Sequence, residues 1–345
     1  EPAIRPKTGA PLPLATAKPS IAVLAFDNLG GDTDQEYFSD GISEDIITDL
    51  SKFAELHVIA RNSSFVYKDR VVSIPEIAAE LGVRYVLEGS VRKAGNRVRI
   101  NAQLIDSTTG GHVWADRFDR DLTDIFAVQD EVTREIILAL KLELITGVEA
   151  RSSRRRTIDI EAYNLFLRGR EKSWIHSKGG NIEARNLLQS AIDIEPQYAA
   201  AHARSAFTHV LDYVNGWADD PDQSLQTAAE MAQRSVEIDE EEKETHFALS
   251  AACLWNRELD RALLEAERCL SLEPNSAEGI MVFAHVHIFA GNADKALESI
   301  NTYMRLDPHY PDIALQFLAE AHISLGQFEE ALAALKNRLL RDPSS

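Results

Sequence analysis

The sequence predicts a mixed α/β domain ordered β-α-β-α-β-β-β-α, followed by an all-α solenoid of stacked helix pairs. Two observations carry this expectation. In the second half, Ala184, Ala228, Ala262, Ala296 and Ala331 each stand twelve residues before a helix stop, at Pro196, Glu240, Pro274, Pro308 and Pro343. The last four stops lie 34, 34 and 35 residues apart, a period that marks a helical-repeat array in which each pair buries its apolar face against its neighbours. In the first half, short apolar runs alternate with helical stripes and Gly-rich turns, the pattern of a sheet with helices packed on it.

Residues 1–19 carry five prolines among small and charged residues. Such a stretch cannot bury enough surface to fold, and it reads as a linker. The α/β domain, taken as 20–146, opens with Ser20-Ile-Ala-Val-Leu-Ala-Phe26, a buried strand ended by the turn Asp27-Asn-Leu-Gly-Gly-Asp32. From Glu36 to Phe53 a helix aligns Phe38, Ile42, Ile46, Ile47 and Leu50, and a short strand follows at Leu56 to Ala60. A second helix, Ser73 to Leu81, has Ser73 as cap with Pro75 and Glu76 in its first turn. Strands at Arg84–Val91, Arg97–Ile105 and His112–Phe118 are separated by the hairpin turns Ala94-Gly-Asn96 and Asp106-Ser-Thr-Thr-Gly-Gly111. A long helix, Asp124 to Leu144, presents Ile125, Val128, Val132, Ile136 and Leu140 on one face.

The connector 147–160 holds the basic run Arg151-Ser-Ser-Arg-Arg-Arg156, read as a solvated or salt-bridged helix end in preference to an anion-binding surface. The repeats then occupy 161–345, about five in number. Acidic residue then proline ends the runs CLSLEP, TYMRLDP and LLRDP, and proline cannot continue a helix. Gly291 and Gly326 lie five residues before an alanine, where the two helices of a pair must turn. In this register Leu249, Phe283 and Leu318 belong to the buried stripe of each first helix, with His246, His287 and His322. The five alanines lie where paired helices approach most closely. The interval from Pro196 to Glu240 exceeds the period by ten residues, a turn-rich insertion at 215–222 that contains Trp217. Trp217 is a candidate partner contact, weighed against a ring that covers its own helix ends.

These alanine, glycine and proline positions resemble tetratricopeptide repeats. The strings KPSIAVLAFDNLGGD, EYFSDGISEDIITDLSKF, VIARNSSFVYK, LGVRYVLEGSVRKAGNRVRINAQLIDSTTGGHVWADRFDR and DIFAVQDEVT resemble the TolB amino-terminal-like module of bacterial signalling proteins. That resemblance implies a regulatory and protein-interaction module, most often carboxy-terminal to a class III adenylate or guanylate cyclase domain and joined to it by a proline-rich linker. The alternatives it leaves are the extracytoplasmic sensor of a membrane-anchored winged-helix transcription regulator and a stand-alone repeat scaffold. A protein or peptide in the repeat groove, a cyclase domain in cis and a homodimer are the implied partners. The first reading places the chain in the cytoplasm and the second in the periplasm.

Composition and motifs argue against other functions. A net charge of −19 over 345 residues opposes nucleic-acid binding, which needs concentrated positive charge, and no run of eighteen apolar residues suggests membrane insertion. The two cysteines, Cys253 and Cys269, read as small core residues. Gly30-Gly31 lacks the Gly-Lys-Ser/Thr of a phosphate loop and is followed by acids at a helix start. No HExxH motif or Gly-x-Ser-x-Gly elbow occurs, so no metal, cofactor or catalytic residue is expected. Arg61, Asn62, Ser63 and Ser64, on a polar loop at the carboxyl end of the second strand, are the candidate small-molecule site, set against a structural role in closing the turn.

Overall fold

The computed structural model describes residues 18–32, 35–140 and 158–341. The proline-rich segment up to residue 17, the end of the long helix beyond residue 140, the basic run 151–156 and Pro343 lie outside the described residues. Among these residues six strands form one sheet: β1 (Ser20–Val23), β2 (Asp27–Asn28), β3 (His57–Val58), β4 (Tyr85–Ala94), β5 (Arg97–Asp106) and β6 (Gly111–Asp121). Their order is β3-β1-β4-β5-β6, with β2 pairing β4 beyond β1. β1 runs parallel to both neighbours, whereas β4, β5 and β6 form an antiparallel meander.

Helices α1 (Glu36–Ser51) and α4 (Ile125–Ala139) cover one face of this sheet. Ile42, Ile46, Leu50, Val128, Val132 and Ile136 meet Leu87, Ile100 and Leu104 in one core. On the opposite face α3 (Ile74–Leu81) packs Ile77 and Leu81 against Ala22, Ile59 and Val86. Its start is the expected one, a capping box in which Ser73 and Glu76 satisfy each other's end of the helix.

Three local expectations are corrected. The run after β1 bends into the short β2 because Leu29 N–H donates to Val91 O and keeps the chain beside β4. The second strand is only His57–Val58. The polar loop after it is a short helix, α2 (Arg61–Phe65), its backbone turned by Ser63 and Ser64 N–H bonding to Ala60 O.

Among the described residues, ten helices make five antiparallel pairs: α5 (Ile160–Ser173) with α6 (Lys178–Ile194), α7 (Ala199–Val214) with α8 (Pro221–Ile238), α9 (Lys243–Trp255) with α10 (Leu259–Leu272), α11 (Ala277–Phe289) with α12 (Ala293–Leu306), and α13 (Ile313–Ser324) with α14 (Phe328–Arg341). Ala184, Ala228, Ala262 and Ala296 have no exposed surface, and Ala331 is almost as deeply buried. Leu249, Cys253, Cys269, His246 and His287 are buried as the register requires. Phe283, Leu318 and His322 are only half-buried, because the apolar stripe of the later first helices faces partly outward. Gly291 and Gly326 turn with φ of 75° and 72°, and the equivalent position of the third pair is Arg257, a non-glycine residue at φ 65°. Ala296→Leu adds three carbons where Ala284, Ile300 and Ala321 already close the space. It is expected to lower stability by about 1–3 kcal/mol through overpacking, and an unchanged denaturation midpoint would refute the helix-pair register.

The first helix pair shares the core of the sheet domain. Tyr163, Phe166 and Leu167 of α5 and Leu188, Ala191 and Ile192 of α6 belong to the same apolar cluster as α1 and α4. A Cβ on Gly41 would come within 2.7 Å of Leu167, so the bare backbone of α1 is what lets α5 lie against it.

Candidate partner-binding face and the joint between the domains

The first helices of successive pairs, α7, α9, α11 and α13, lie side by side and line one face of the array. Aromatic rings run across them. Tyr213 and Trp255 are 5.8 Å apart between centroids, Trp255 and His285 5.7 Å, Trp255 and Phe289 5.9 Å, and His285 stacks on Phe317 at 4.2 Å. Phe289 is half exposed. Burial pushes the His285 imidazole down to about 4, so it is neutral near pH 7 and the strip carries no charge. Rings of this kind offer large rigid contact area at low entropic cost, the usual material of an anchor site.

At the opposite ends of these helices the charges are buried. Arg204 of α7 reaches Glu278 of α11 at 2.6 Å and Glu244 of α9 at 3.0 Å, and Lys243 donates to Glu244 at 2.7 Å. Burial alone would raise the Glu244 carboxyl, but Arg204 and Lys243 hold it down to about 2. Glu273 has the opposite fate. Its nearest cation, Lys243, is 3.9 Å away, its Oε2 finds no hydrogen-bond partner among the described residues, and burial pushes its carboxyl up to about 8.

The joint with the sheet domain is polar at three places. Arg170 of α5 donates to Asp45 at 2.8 Å and to Gly41 O at 3.1 Å, while Tyr163 OH and Gln129 also donate to Asp45. Asn275, in the turn before α11, donates to Phe53 O at 2.8 Å, and its N–H to Ser51 O at 3.1 Å. The turn before α13 meets α2: Ala60 N–H donates to Leu306 O at 2.7 Å, Ser63 Oγ donates to Asp307, and His309 N–H donates back to Ser63 Oγ at 2.8 Å.

The four residues of the predicted small-molecule loop therefore sit at this joint. Asn62 donates to Asp307 at 3.4 Å, and Ser64 is fully buried. Arg61 pairs with Glu44 at 3.0 Å and lies over the rings of Phe65 and Trp174. Trp217 lies elsewhere, on the rim of a cleft of about 290 Å³ with Ile182, Arg185, His209 and Asp212. Its N–H donates to Asp212 O at 2.8 Å, which folds the insertion back over the end of α7. The structure thus joins Asn62 and Ser63 with the repeat turn, sets Arg61 against Glu44 and Trp174, and leaves Trp217 apart from them. Sequence reasoning missed the aromatic strip, although Trp255 and Phe289 share one repeat position, seven residues before Ala262 and Ala296.

Among the described residues no cluster of His, Cys, Asp and Glu could hold a metal ion, and no helix is long and apolar enough to cross a membrane. The fold is a mixed α/β sheet domain followed by a stacked all-α repeat region of the tetratricopeptide type. Residues 16–135 match the family described as HilA/YgeH-like transcriptional regulator, second domain, and residues 255–338 match anaphase-promoting complex, cyclosome, subunit 3. A putative adenylate cyclase 3 of Rhizobium meliloti (strain 1021) is 52% identical over 252 residues, covering 73% of this chain and 43% of that protein. The chain therefore spans less than half the length of this curated relative. Among solved structures, a thermophilic TPR protein of Thermus thermophilus is 22% identical with a TM-score of 0.42, covering 53% of this chain and 93% of the other. TolB from Acinetobacter baumannii is 18% identical with a TM-score of 0.28, covering 36% and 29%.

Proposed function

We propose that the chain is a non-catalytic regulatory and protein-interaction module, carboxy-terminal to a class III nucleotide cyclase domain in its parent protein. The observation that carries this reading is the 52% identity to a putative adenylate cyclase that extends well beyond the matched 252 residues. In this reading residues 1–19 link the cyclase domain to the sheet domain at 20–146, and the connector 147–160 leads to the repeats at 161–345. The protein or peptide partner enters the face lined by Tyr213, Trp255, Phe289 and Phe317, with Trp217 as a further contact, and the parent acts in the cytoplasm. The five buried alanines set the helix spacing on which that face depends.

The test is the parent's own output. Deleting the module from the full-length protein is expected to change cyclic-nucleotide turnover, while the isolated chain forms none. The substitutions Trp255→Ala and Phe289→Ala together are expected to shift turnover in the same direction as the deletion, because they remove two anchors from one face. Turnover identical in all three full-length forms would overturn the reading. A second reading, the sensor module of a membrane-anchored transcription regulator, is favoured by the match of residues 16–135 to the HilA/YgeH-like regulators. A winged-helix domain and a membrane span upstream of Glu1 would decide for it, and paired metal-binding aspartates would decide for the cyclase. The Arg61–Ser64 segment as a small-molecule site rests on the fully buried, unpartnered Ser64 hydroxyl. Titration calorimetry against nucleotides without heat would remove it.

A further inference from the structure

Strand β6 closes one side of the sheet, and among the described residues only β5 pairs with it. Its central stretch reads Asp116-Arg-Phe-Asp-Arg120. The hydrogen bonding fixes which groups point outward. Leu122 N–H donates inward to Asn96 O, so by alternation the N–H groups of Phe118 and Arg120 also aim at β5, and those of Arg117 and Asp119 aim away from the sheet. The Arg117 N–H is met by the carboxylate of its own neighbour Asp116 at 2.7 Å. Arg117 itself is 63% exposed along its side chain.

We propose that β6 pairs antiparallel with β6 of a second copy of this chain, in the register centred on Phe118, and so joins two sheets into one. A two-fold axis through Phe118 sets Arg117 opposite Asp119 of the second copy and Asp116 opposite Arg120 of the second copy. Each pairing occurs twice, giving four opposite-charge pairs. On the outer face Asp119 is held in place by Arg99 at 2.8 Å and by Arg117 of its own strand at 3.3 Å. On the helix face Arg120 is steadied by Glu131 of α4 at 2.8 Å. The other symmetric registers centred within residues 116–120 fail on charge. Centring on Asp116, Arg117, Asp119 or Arg120 places a charge against its own image, and centring on Arg120 adds Asp119 against Asp121 twice. Charged edge strands ordinarily repel other strands. Here the alternation of sign within residues 116–120 is self-complementary in one register only, and the outward N–H of Asp119 supplies the ladder together with that of Arg117, which exchanges its Asp116 carboxylate for a backbone carbonyl of the second copy.

This interface rests on the edge strand and holds whichever output domain the parent carries. It is small, so micromolar association is expected, weakening as salt rises. Sedimentation equilibrium of the full 345-residue chain tests it. The wild type is expected to show twice the chain mass at high micromolar concentration. The variant Arg117→Asp with Arg120→Asp, and the variant Asp116→Arg with Asp119→Arg, are each expected to be monomeric and to form a one-to-one dimer when mixed. Arg117→Pro removes an outward N–H while keeping the bonds to β5, and is expected to weaken the dimer at least tenfold with an unchanged melting temperature. A monomeric wild type, a dimer that both charge variants retain, or mixed variants that stay monomeric would each overturn the proposal.

Discussion

Arg204→Ala is expected to cost about 3–5 kcal/mol, the usual penalty for removing one partner of a buried ion network. The guanidinium is held by Glu278 and Glu244, which come from two further first helices, and it also lies over the ring of Phe247. Without it, Glu244 keeps only Lys243, and Glu278 keeps only the same lysine, at 3.9 Å. The loss falls on the helix face that carries the aromatic strip, because α7, α9 and α11 are tied at these ends. Replacement by a hydrophobic isostere of similar length, with Glu244 and Glu278 changed to Gln and Met, is expected to recover much of the loss. Urea denaturation of the single and triple variants measures both. A single variant within about 1 kcal/mol of the wild type would mean that water already reaches this network.

The second large effect depends on pH. The Glu273 carboxyl is pushed from 4.5 up to about 8 by burial. Its folded-state value is raised, so the stability it contributes is fully present below about pH 4.5 and is lost progressively as pH rises to about 8. Glu273→Gln keeps the shape and cannot ionise. It is therefore expected to match the wild type near pH 4.5 and to exceed it increasingly toward pH 8, by on the order of 3–5 kcal/mol at the plateau. Thermal or urea unfolding across that range gives the difference curve. A variant less stable than the wild type at pH 8 would show instead that the carboxylate is ionised and bonded to Lys243.

Local rules made much of the fold legible. Proline after an acidic residue ends helices by itself, so α10 and α12 were readable from CLSLEP and TYMRLDP. The small residue needed at each helix crossing placed Ala184 to Ala331, and the Ser73 capping box placed α3. The joint obeys no local rule. Ser63 and Asp307 are 244 residues apart, and nothing in Ala60-Arg-Asn-Ser-Ser-Phe65 distinguishes a hydroxyl aimed at a ligand from one aimed at a distant turn. The same blindness affected Glu273, which looked like any acid before a proline and lies 3% exposed. The aromatic strip was hidden for a different reason. Trp255 and Phe289 repeat with the period, but His285 and Phe317 occupy other positions and join them only because neighbouring helices bring different offsets together.

The sheet domain grips the array at α5, at Asn275 and at the Leu306–His309 turn, three points spread over four helix pairs. A solenoid free at all but one end would behave as a spring whose pitch each ligand could alter cheaply. Clamped at three stations along its length, this one works as a stiffened beam. A ligand that changes the spacing of α9, α11 and α13 must also strain α1 and α2, whose ends are fastened to the same turns. Strain from such a change of spacing would therefore reach the sheet and its first strand, where the chain leads back toward residue 1.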